Sequence, residues 1–307
     1  MPRIHPIAAI QAAPRLFDAA ETEARLAHWL QQARAAGVSL AVFPEAFLGG
    51  YPKGVDFGAR VGSRSPEGRE LFRRYAEAAY ERDGPAFARI RALVADAGIT
   101  VVTGVIERLG QTLYCVSATL GPDGAVLAWR RKLMPTAMER LIWGQGDGAT
   151  LQVAQTPLGP VSSAICWENY MPLLRVHLYG QRPVLHAAPT VDDRAVWLPT
   201  LQTIALEGRC FVVSACQYMT RADVADDVAY AAIQGDAPQT VLVRGGSAIV
   251  GPLGTVLAGP LFGEPGLVCA EIDLDDVTRA AFDFDVVGHY ARPDIFTLST
   301  DTTSRIA

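Results

Sequence analysis

Three residues of complementary chemistry stand at corresponding places along the chain. Glu45 lies just past the strand-like run Ser39–Phe43, Lys132 ends a hairpin arm, and Cys166 follows the small, β-branched run from Gly159 to Ile165 and precedes a helical pattern. A thiol that can become a thiolate, a carboxylate that can take its proton and an ammonium that can hold developing negative charge are the parts of covalent catalysis without histidine. Cys166 is expected at a strand end facing a helix N-terminus, where partial positive charge favours the thiolate. Each residue has an ordinary role when it stands alone: a buried structural thiol, a turn carboxylate, a basic hairpin end. Their agreement in chemistry is what singles them out.

The elements that must position them alternate along the chain. Ile7–Ala12 reads as a buried strand, followed by a helix from about Asp18, a plausible N-cap, to Ala36, closed by Gly37. After the strand Ser39–Phe43 comes a Gly-rich loop, Gly49 to Gly62, of the kind that walls a substrate pocket. Helical patterns occupy Glu67–Arg82 and Pro85–Ala97, Ile99–Ile106 is a strand, and Leu113–Leu120 with Ala125–Arg131 form a hairpin about Gly121–Gly124. Period-two alternation puts Arg130 and Lys132 on one face and Arg131 on the other. Glu139 belongs to a short helical turn in Thr136–Gly148. The glycines 144, 146 and 148 follow no strand and open no helix, so tight backbone packing accounts for them better than a nucleotide-binding loop does.

In the second half, a helix over Tyr170–Gln181 is followed by a strand at Pro183–Ala188, a helix at Ala195–Gly208 and a strand at Phe211–Cys216. Thr220–Gln239 is a polar excursion. Strand-like pieces at Gly246–Val250, Thr255–Ala258 and Gly266–Ile272 precede a last helix from Asp273 to Phe284. Strands alternating with helices in both halves imply an α/β layered fold, two sheets face to face with helices outside, and no linker divides residues 1–307 into separate domains.

With half of 307 residues hydrophobic the chain can bury a large core, and a net charge of −5 gives no pull toward nucleic acid or an anionic membrane. Five cysteines, an odd count with several in apolar runs, argue against a disulfide framework and for a reducing cytoplasm. No run reaches membrane-spanning length, and no signal-peptide pattern opens the sequence. The histidines at 5, 28, 177, 186 and 289 show no metal-ligand spacing, and no metal or organic cofactor is expected.

The segments Phe43-Pro44-Glu45, Arg131-Lys132-Leu133-Met134-Pro135-Thr136 and Cys166-Trp167-Glu168-Asn169-Tyr170 resemble the signature segments of the carbon-nitrogen hydrolase superfamily, in particular its nitrilase branch. Gly49–Pro52, Glu139–Gly148, Ala188–Thr190, Ala205–Phe211 and Gly288–Asp294 match as well, so the resemblance runs in order over nearly the whole chain. It implies an α-β-β-α sandwich that dimerises into eight layers, with Glu45 as general base, Lys132 as charge stabiliser, Cys166 as nucleophile and Glu139 as a second glutamate. Two carboxylates near one thiol raise its pKa, so Lys132 and the helix terminus must offset them. The Trp167 backbone N–H is the expected second donor to the charged intermediate.

The implied reaction is hydrolysis of an organic nitrile to acid and ammonia through a thioimidate and a thioester. Amidases share the triad, and cyanide hydratase or dihydratase activity stays open. Trp167-Glu168 after the nucleophile and the Glu139–Gly148 block favour the nitrilase branch. Tyr51, Trp143, Trp167, His186 and Trp197 are candidate pocket walls and favour an aryl, arylaliphatic or aliphatic nitrile over a charged one. His186 also offers a rival Cys-His hydrolase, although a histidine on an apolar strand is more often a core or wall residue. A homo-oligomer built on an isologous dimer is expected through the helices 170–179 and 195–208. Extension into spirals is disfavoured by the short tail after Asp294.

Overall fold

Apolar runs and amphipathic stretches fold as β1 (Ile4–Gln11), α1 (Ala19–Ala35), β2 (Leu40–Val42), α2 (Pro66–Glu77), α3 (Pro85–Ala97), β3 (Thr100–Leu109), β4 (Thr112–Leu120) and β5 (Val126–Arg131). The second half follows as β6 (Ala154–Thr156), β7 (Gly159–Ser163), α4 (Pro172–Tyr179), β8 (Leu185–Ala187), α5 (Trp197–Gly208) and β9 (Phe211–Ser214). The chain then adds β10 (Tyr218–Thr220), β11 (Val241–Val250), β12 (Val256–Phe262), β13 (Gly266–Asp273) and α6 (Asp275–Ala281). This computed structural model describes residues 3–228 and 234–306.

Local signals set the helices. Asp18 accepts the Glu21 N–H at 2.9 Å and starts α1, whose Leu26, Leu30 and Ala33 form one buried stripe. In α3, Pro85 occupies the first turn and Phe87, Ile90 and Val94 are buried, before Gly98 ends the helix in the left-handed conformation at φ +69°.

The strands make two sheets, in the orders β13-β1-β2-β3-β4-β5 and β10-β11-β9-β8-β7-β6, with β12 on β11. β1, β2 and β3 run parallel, as do β7, β8 and β9; the outer pairings are antiparallel. Ile7, Leu40, Val42 and Val102 of the first sheet pack on Val161, Leu185, Phe211 and Val213 of the second. On the outside, α1 and α3 cover the first sheet through Leu26, Leu30, Phe87 and Ile90. Trp197, Leu201 and Ile204 of α5, with Tyr179 of α4, cover the second. The result is an α-β-β-α sandwich.

Strand direction places the chemistry. Because β4 reverses β3 and β5 reverses β4, β5 runs with β2 and β3 and ends at the same edge of the sheet. Glu45 follows β2 and Lys132 follows β5 at that edge. Cys166 follows β7 and Thr190 follows β8 in the second sheet.

Several sequence expectations change. The helix expected at Glu67–Arg82 ends at Glu77, and Tyr80 instead bridges to Glu107 at the edge of β3. The helix expected from Tyr170 begins at Pro172, because a 3-10 turn over Cys166–Tyr170 comes first. β6 was not foreseen; β11 starts at Val241 and β12 reaches Phe262. Within the polar excursion Thr220–Gln239, a short turn forms at Arg221–Asp223, and residues 229–233 lie outside the described residues. All five cysteines are free. Among the described residues no helix is long and apolar enough to cross a membrane.

Candidate active site

Glu45 stands on a loop that crosses β3 at very close range. A Cβ on Gly104 would lie 2.1 Å from the Ala46 nitrogen, so only glycine lets this loop approach. Ala46 takes φ +51°, turning the chain after Glu45, and Gln217 Nε2 donates to the Glu45 carbonyl at 2.8 Å from the end of the second sheet. Lys132 is held from both sides: its N–H donates to the Cys115 carbonyl and its own carbonyl accepts the Gly146 N–H, each at 2.7 Å. A Cβ on Gly146 would meet the Arg131 carbonyl at 2.5 Å, which accounts for one of the alternating glycines as close packing.

Side chains from these loops converge. Lys132 Nζ donates to Glu45 Oε1 at 2.6 Å and to Glu139 Oε2 at 2.7 Å, with Lys132 and Glu45 wholly buried and Glu139 nearly so. Glu139 Oε1 accepts the Tyr51 hydroxyl at 2.9 Å, and Glu139 Oε2 also accepts the Thr136 N–H. Lys132 Nζ lies 5.7 Å from the centre of the Trp143 ring, which meets Tyr51 edge-on. The Cys115 thiol approaches Glu45 Oε1 at 3.8 Å, and Glu45 Oε2 is buried with no partner at hydrogen-bond distance among the described residues.

Cys166 opens the 3-10 turn with φ +51°, its N–H on the Pro189 carbonyl at 2.8 Å. Asn169 Nδ2 donates to the carbonyls of Ala164 and Cys166, and Thr190 Oγ1 donates to Cys166 Sγ at 3.2 Å. The Trp167 N–H, second in the turn, makes no backbone hydrogen bond among the described residues, as expected for the first amides of a helical turn. Its indole N–H donates to Asp192 Oδ2, and the Arg194 guanidinium lies over the half-exposed ring.

Electrostatics follow from this burial. Burial pushes the Glu45 carboxyl up, Lys132 pulls it back and Glu139 pushes it up again, leaving it at about 7. Burial alone would lower the Lys132 ammonium; Glu45, Cys166, Cys115 and Glu139 outweigh it, and the group is raised and stays charged. Burial pushes the Cys166 thiol up, and Glu45 adds to this against Lys132 and Thr190. That corrects the expectation of a thiolate set by a helix N-terminus: the following element is a five-residue turn, and the thiol rests protonated beside a carboxylate able to accept its proton.

Some expected pocket walls lie elsewhere. His186 is buried in β8 with Nδ1 on Ser162 Oγ at 2.9 Å and Nε2 on Asn169 Oδ1 at 2.8 Å. Burial, with Arg130 and Arg175, lowers it to about 3, so it is a neutral core residue with both nitrogens engaged and no base for Cys166. Trp197 is packed in the layer between α5 and the second sheet with its indole N–H on Ser214 Oγ, and it is a core residue too. Trp143 is buried behind Lys132 and Tyr51. Tyr51 and Glu139 do line a cavity of about 360 Å³, together with Val55, Met138, Leu141 and Ile142. Among the described residues no group of three or more His, Cys, Asp or Glu is arranged to hold a metal.

Sequence reasoning missed four contributors: Thr190, Cys115, Gln217 and the pair Arg130–Glu168. In that pair the guanidinium forks onto the carboxylate at 2.7 and 2.8 Å, both fully buried, while the carboxylate also accepts the N–H groups of Ile165 and Leu133. Glu168 therefore joins the Cys166 turn to the Lys132 loop. Strand alternation had already put Arg130 on the face of Lys132, and Glu168 stood in the motif after Cys166; what no sequence signal gave was that the two, 38 residues apart, pair.

The site is thus a carboxylate, an ammonium and a thiol buried together at the strand ends of a two-sheet sandwich. The chain matches the carbon-nitrogen hydrolase family over residues 6–282, and it belongs to that family. It is 52% identical over 300 residues to a nitrilase of Bradyrhizobium diazoefficiens, covering 98% of this chain and 93% of that protein. It is 49% identical over 300 residues to an aliphatic nitrilase of Sinorhizobium fredii, covering 98% and 96%. Identity to an arylacetonitrilase of Trametes versicolor is 52% over 271 residues, covering 85% of each. Among solved structures, a carbon-nitrogen hydrolase from Helicobacter pylori superposes with a TM-score of 0.73 at 17% identity, covering 95% of this chain and 97% of that one. That likeness speaks to the fold alone.

Proposed function

We propose that the protein is a nitrilase that converts an organic nitrile to the carboxylic acid and ammonia, with Cys166 as nucleophile, Glu45 as general base, and Lys132 and the Trp167 N–H as donors to developing charge. The observation that carries this is the setting of the Glu45 carboxylate: wholly buried, with one oxygen held by Lys132 and the buried Cys166 thiol close enough to act on its pKa. A carboxylate poised near neutrality beside a thiol is suited to take and return a proton.

The Cys166 proton passes to Glu45 as sulfur bonds to the nitrile carbon, and the nitrogen takes that proton to give a thioimidate. Water adds to the carbon as Glu45 accepts its proton. Glu45 hands that proton to the nitrogen, the new hydroxyl gives its own proton to the nitrogen by way of Glu45 as the carbonyl forms, and ammonia leaves with the electrons of the C–N bond, so that a thioester remains. A second water, deprotonated by Glu45, releases the acid and restores the thiol. Glu139 holds Lys132 from its other side and lines the cavity, so it orients the ammonium and meets the substrate's approach.

The apolar side chains of that cavity, Val55, Met138, Leu141 and Ile142, which share it with Lys53 and Asp56, support an aryl, arylaliphatic or aliphatic nitrile. The exposed apolar residues Leu173 and Val176 of α4 and Leu206 of α5 support pairing with a second copy. The five free thiols support a reducing compartment such as the cytoplasm.

A panel of aryl, arylacetic and aliphatic nitriles beside the matching amides tests the reading. Ammonia and acid are expected from nitriles, with amides far slower, and Cys166→Ala is expected to abolish turnover while keeping the circular dichroism spectrum. A preference for amides across the panel makes the protein an amidase; full activity in Cys166→Ala removes the mechanism.

A further inference from the structure

Thr190 is wholly buried at the end of β8, and its hydroxyl has two neighbours. The Asp192 N–H donates to Oγ1 at 2.9 Å, and Oγ1 stands 3.2 Å from Cys166 Sγ. With a donor already on the oxygen, the hydroxyl hydrogen is free to point at sulfur. The same loop fixes the geometry at three other places. The Pro189 carbonyl takes the Cys166 N–H, the Thr190 N–H is tied to the Ala215 carbonyl, and Asp192 Oδ2 takes the Trp167 indole.

We infer that Thr190 is a further catalytic residue, a hydroxyl donor to the reacting sulfur that favours the thiolate both when it attacks and when it is expelled. A hydrogen bond to charged sulfur is stronger than one to a thioether or thioester sulfur. The contact therefore matters before attack and at every later step that expels sulfur, thioester hydrolysis included. Before attack it raises the thiolate population. At the tetrahedral carbon, which carries nitrogen, oxygen and Cys166 sulfur, it acts on one of two exits. If the C–N bond breaks, its electron pair leaves with ammonia and sulfur stays bonded and neutral. If the C–S bond breaks, its pair returns to sulfur and the amide departs. Thr190 stabilises only the second exit, so it works against complete conversion to acid while helping the first bond to form.

The test compares the wild type with Thr190→Val and Thr190→Ser in the full chain. Alkylation of Cys166 by iodoacetamide is followed by peptide mass spectrometry, which separates it from the exposed Cys269. Losing a charge-assisted hydrogen bond lowers the thiolate fraction by about ten- to a hundredfold. The remaining thiolate is intrinsically more nucleophilic, so the net fall in rate is about three- to tenfold. Thr190→Ser is expected to stay within about twofold of wild type. In nitrile turnover, the amide share of the product in Thr190→Val is expected at or below that of wild type.

Alkylation of Thr190→Val at the wild-type rate, or a higher amide share, overturns the proposal. Thr190→Ala, which removes the same hydroxyl without added volume, carries the test if the valine variant does not fold. The product arm rests on the nitrilase reading and the alkylation arm does not. Absence of nitrile turnover in wild type therefore defeats that reading and leaves alkylation to decide on Thr190.

Discussion

Replacing Arg130 by methionine tests how the two halves of the site are held together. The substitution leaves the Glu168 carboxylate fully buried, with the N–H groups of Ile165 and Leu133 as its remaining donors. Removing one member of a buried pair costs about 3–5 kcal/mol, because the other charge is stranded rather than because the pair itself was worth that much. An unfolding entropy of about 2.1 cal/mol/K per residue scales to roughly 0.6 kcal/mol per kelvin for this chain, so the melting midpoint should fall by about 5–8 °C. Glu168→Gln strands the guanidinium instead and should cost a comparable amount. In the double variant no charge is stranded, and the glutamine oxygen still accepts one of the two N–H groups. Its loss should fall well short of the sum, with a coupling of at least about 2 kcal/mol. Thermal and urea unfolding followed by circular dichroism gives all four corners of the cycle. Additive losses, or a cost below about 1 kcal/mol for Arg130→Met, would show that Glu168 is not held as a paired ion and that the reasoning is wrong.

Glu45, raised to about 7, predicts a kcat/KM profile whose acid limb lies near pH 7, since the protonated carboxyl cannot accept the thiol proton. Its folded pKa lies above the unfolded value of 4.5, so its contribution to stability is complete below about 4.5 and is lost as pH rises through about 7. Activity and this share of stability thus run in opposite directions over one window, and Glu45→Gln should flatten that part of a stability–pH curve; an unchanged slope contradicts the assignment. Lys132→Met leaves Glu45 and Glu139 facing each other without a cation and should lower kcat by about a hundredfold or more, measured as ammonia release. Light scattering at micromolar concentration should return a dimer or larger; a monomer would remove the role given to Leu173, Val176 and Leu206.

Much of the sandwich was legible because buried strands and amphipathic helices are written locally. The run before Glu45, the hairpin before Lys132 and the β-formers before Cys166 all became strands near the expected positions. Boundaries failed where tertiary contacts decide them. Tyr80 left its helical pattern to pair with Glu107, and the Cys166 turn displaced the start of α4 because Glu168 and Asn169 bond back to Ile165, Ala164 and Cys166. Charge chemistry was readable from residue type. The apolar strand around His186 already favoured a core or wall position for it, but the partners of Arg130, the role of Gln217 and the burial of Trp197 were not readable, because each depends on which element crosses at that point of the sandwich.

Backbone conformation adds one consequence. Of the seven non-glycine residues with positive φ among the described residues, Cys166, Ala46 beside Glu45 and Ala137 near Glu139 lie at the site. A left-handed conformation costs a residue with a side chain about 1–2 kcal/mol relative to one that glycine would occupy freely. Glycine at 166 should therefore fold more readily than alanine there, although neither has a thiol. The turn that aims the nucleophile is one that folding alone would give to glycine, so the chain carries a standing conformational load at the place where bonds are made. Selection for thermal stability alone would favour glycine at this position and take the chemistry with it.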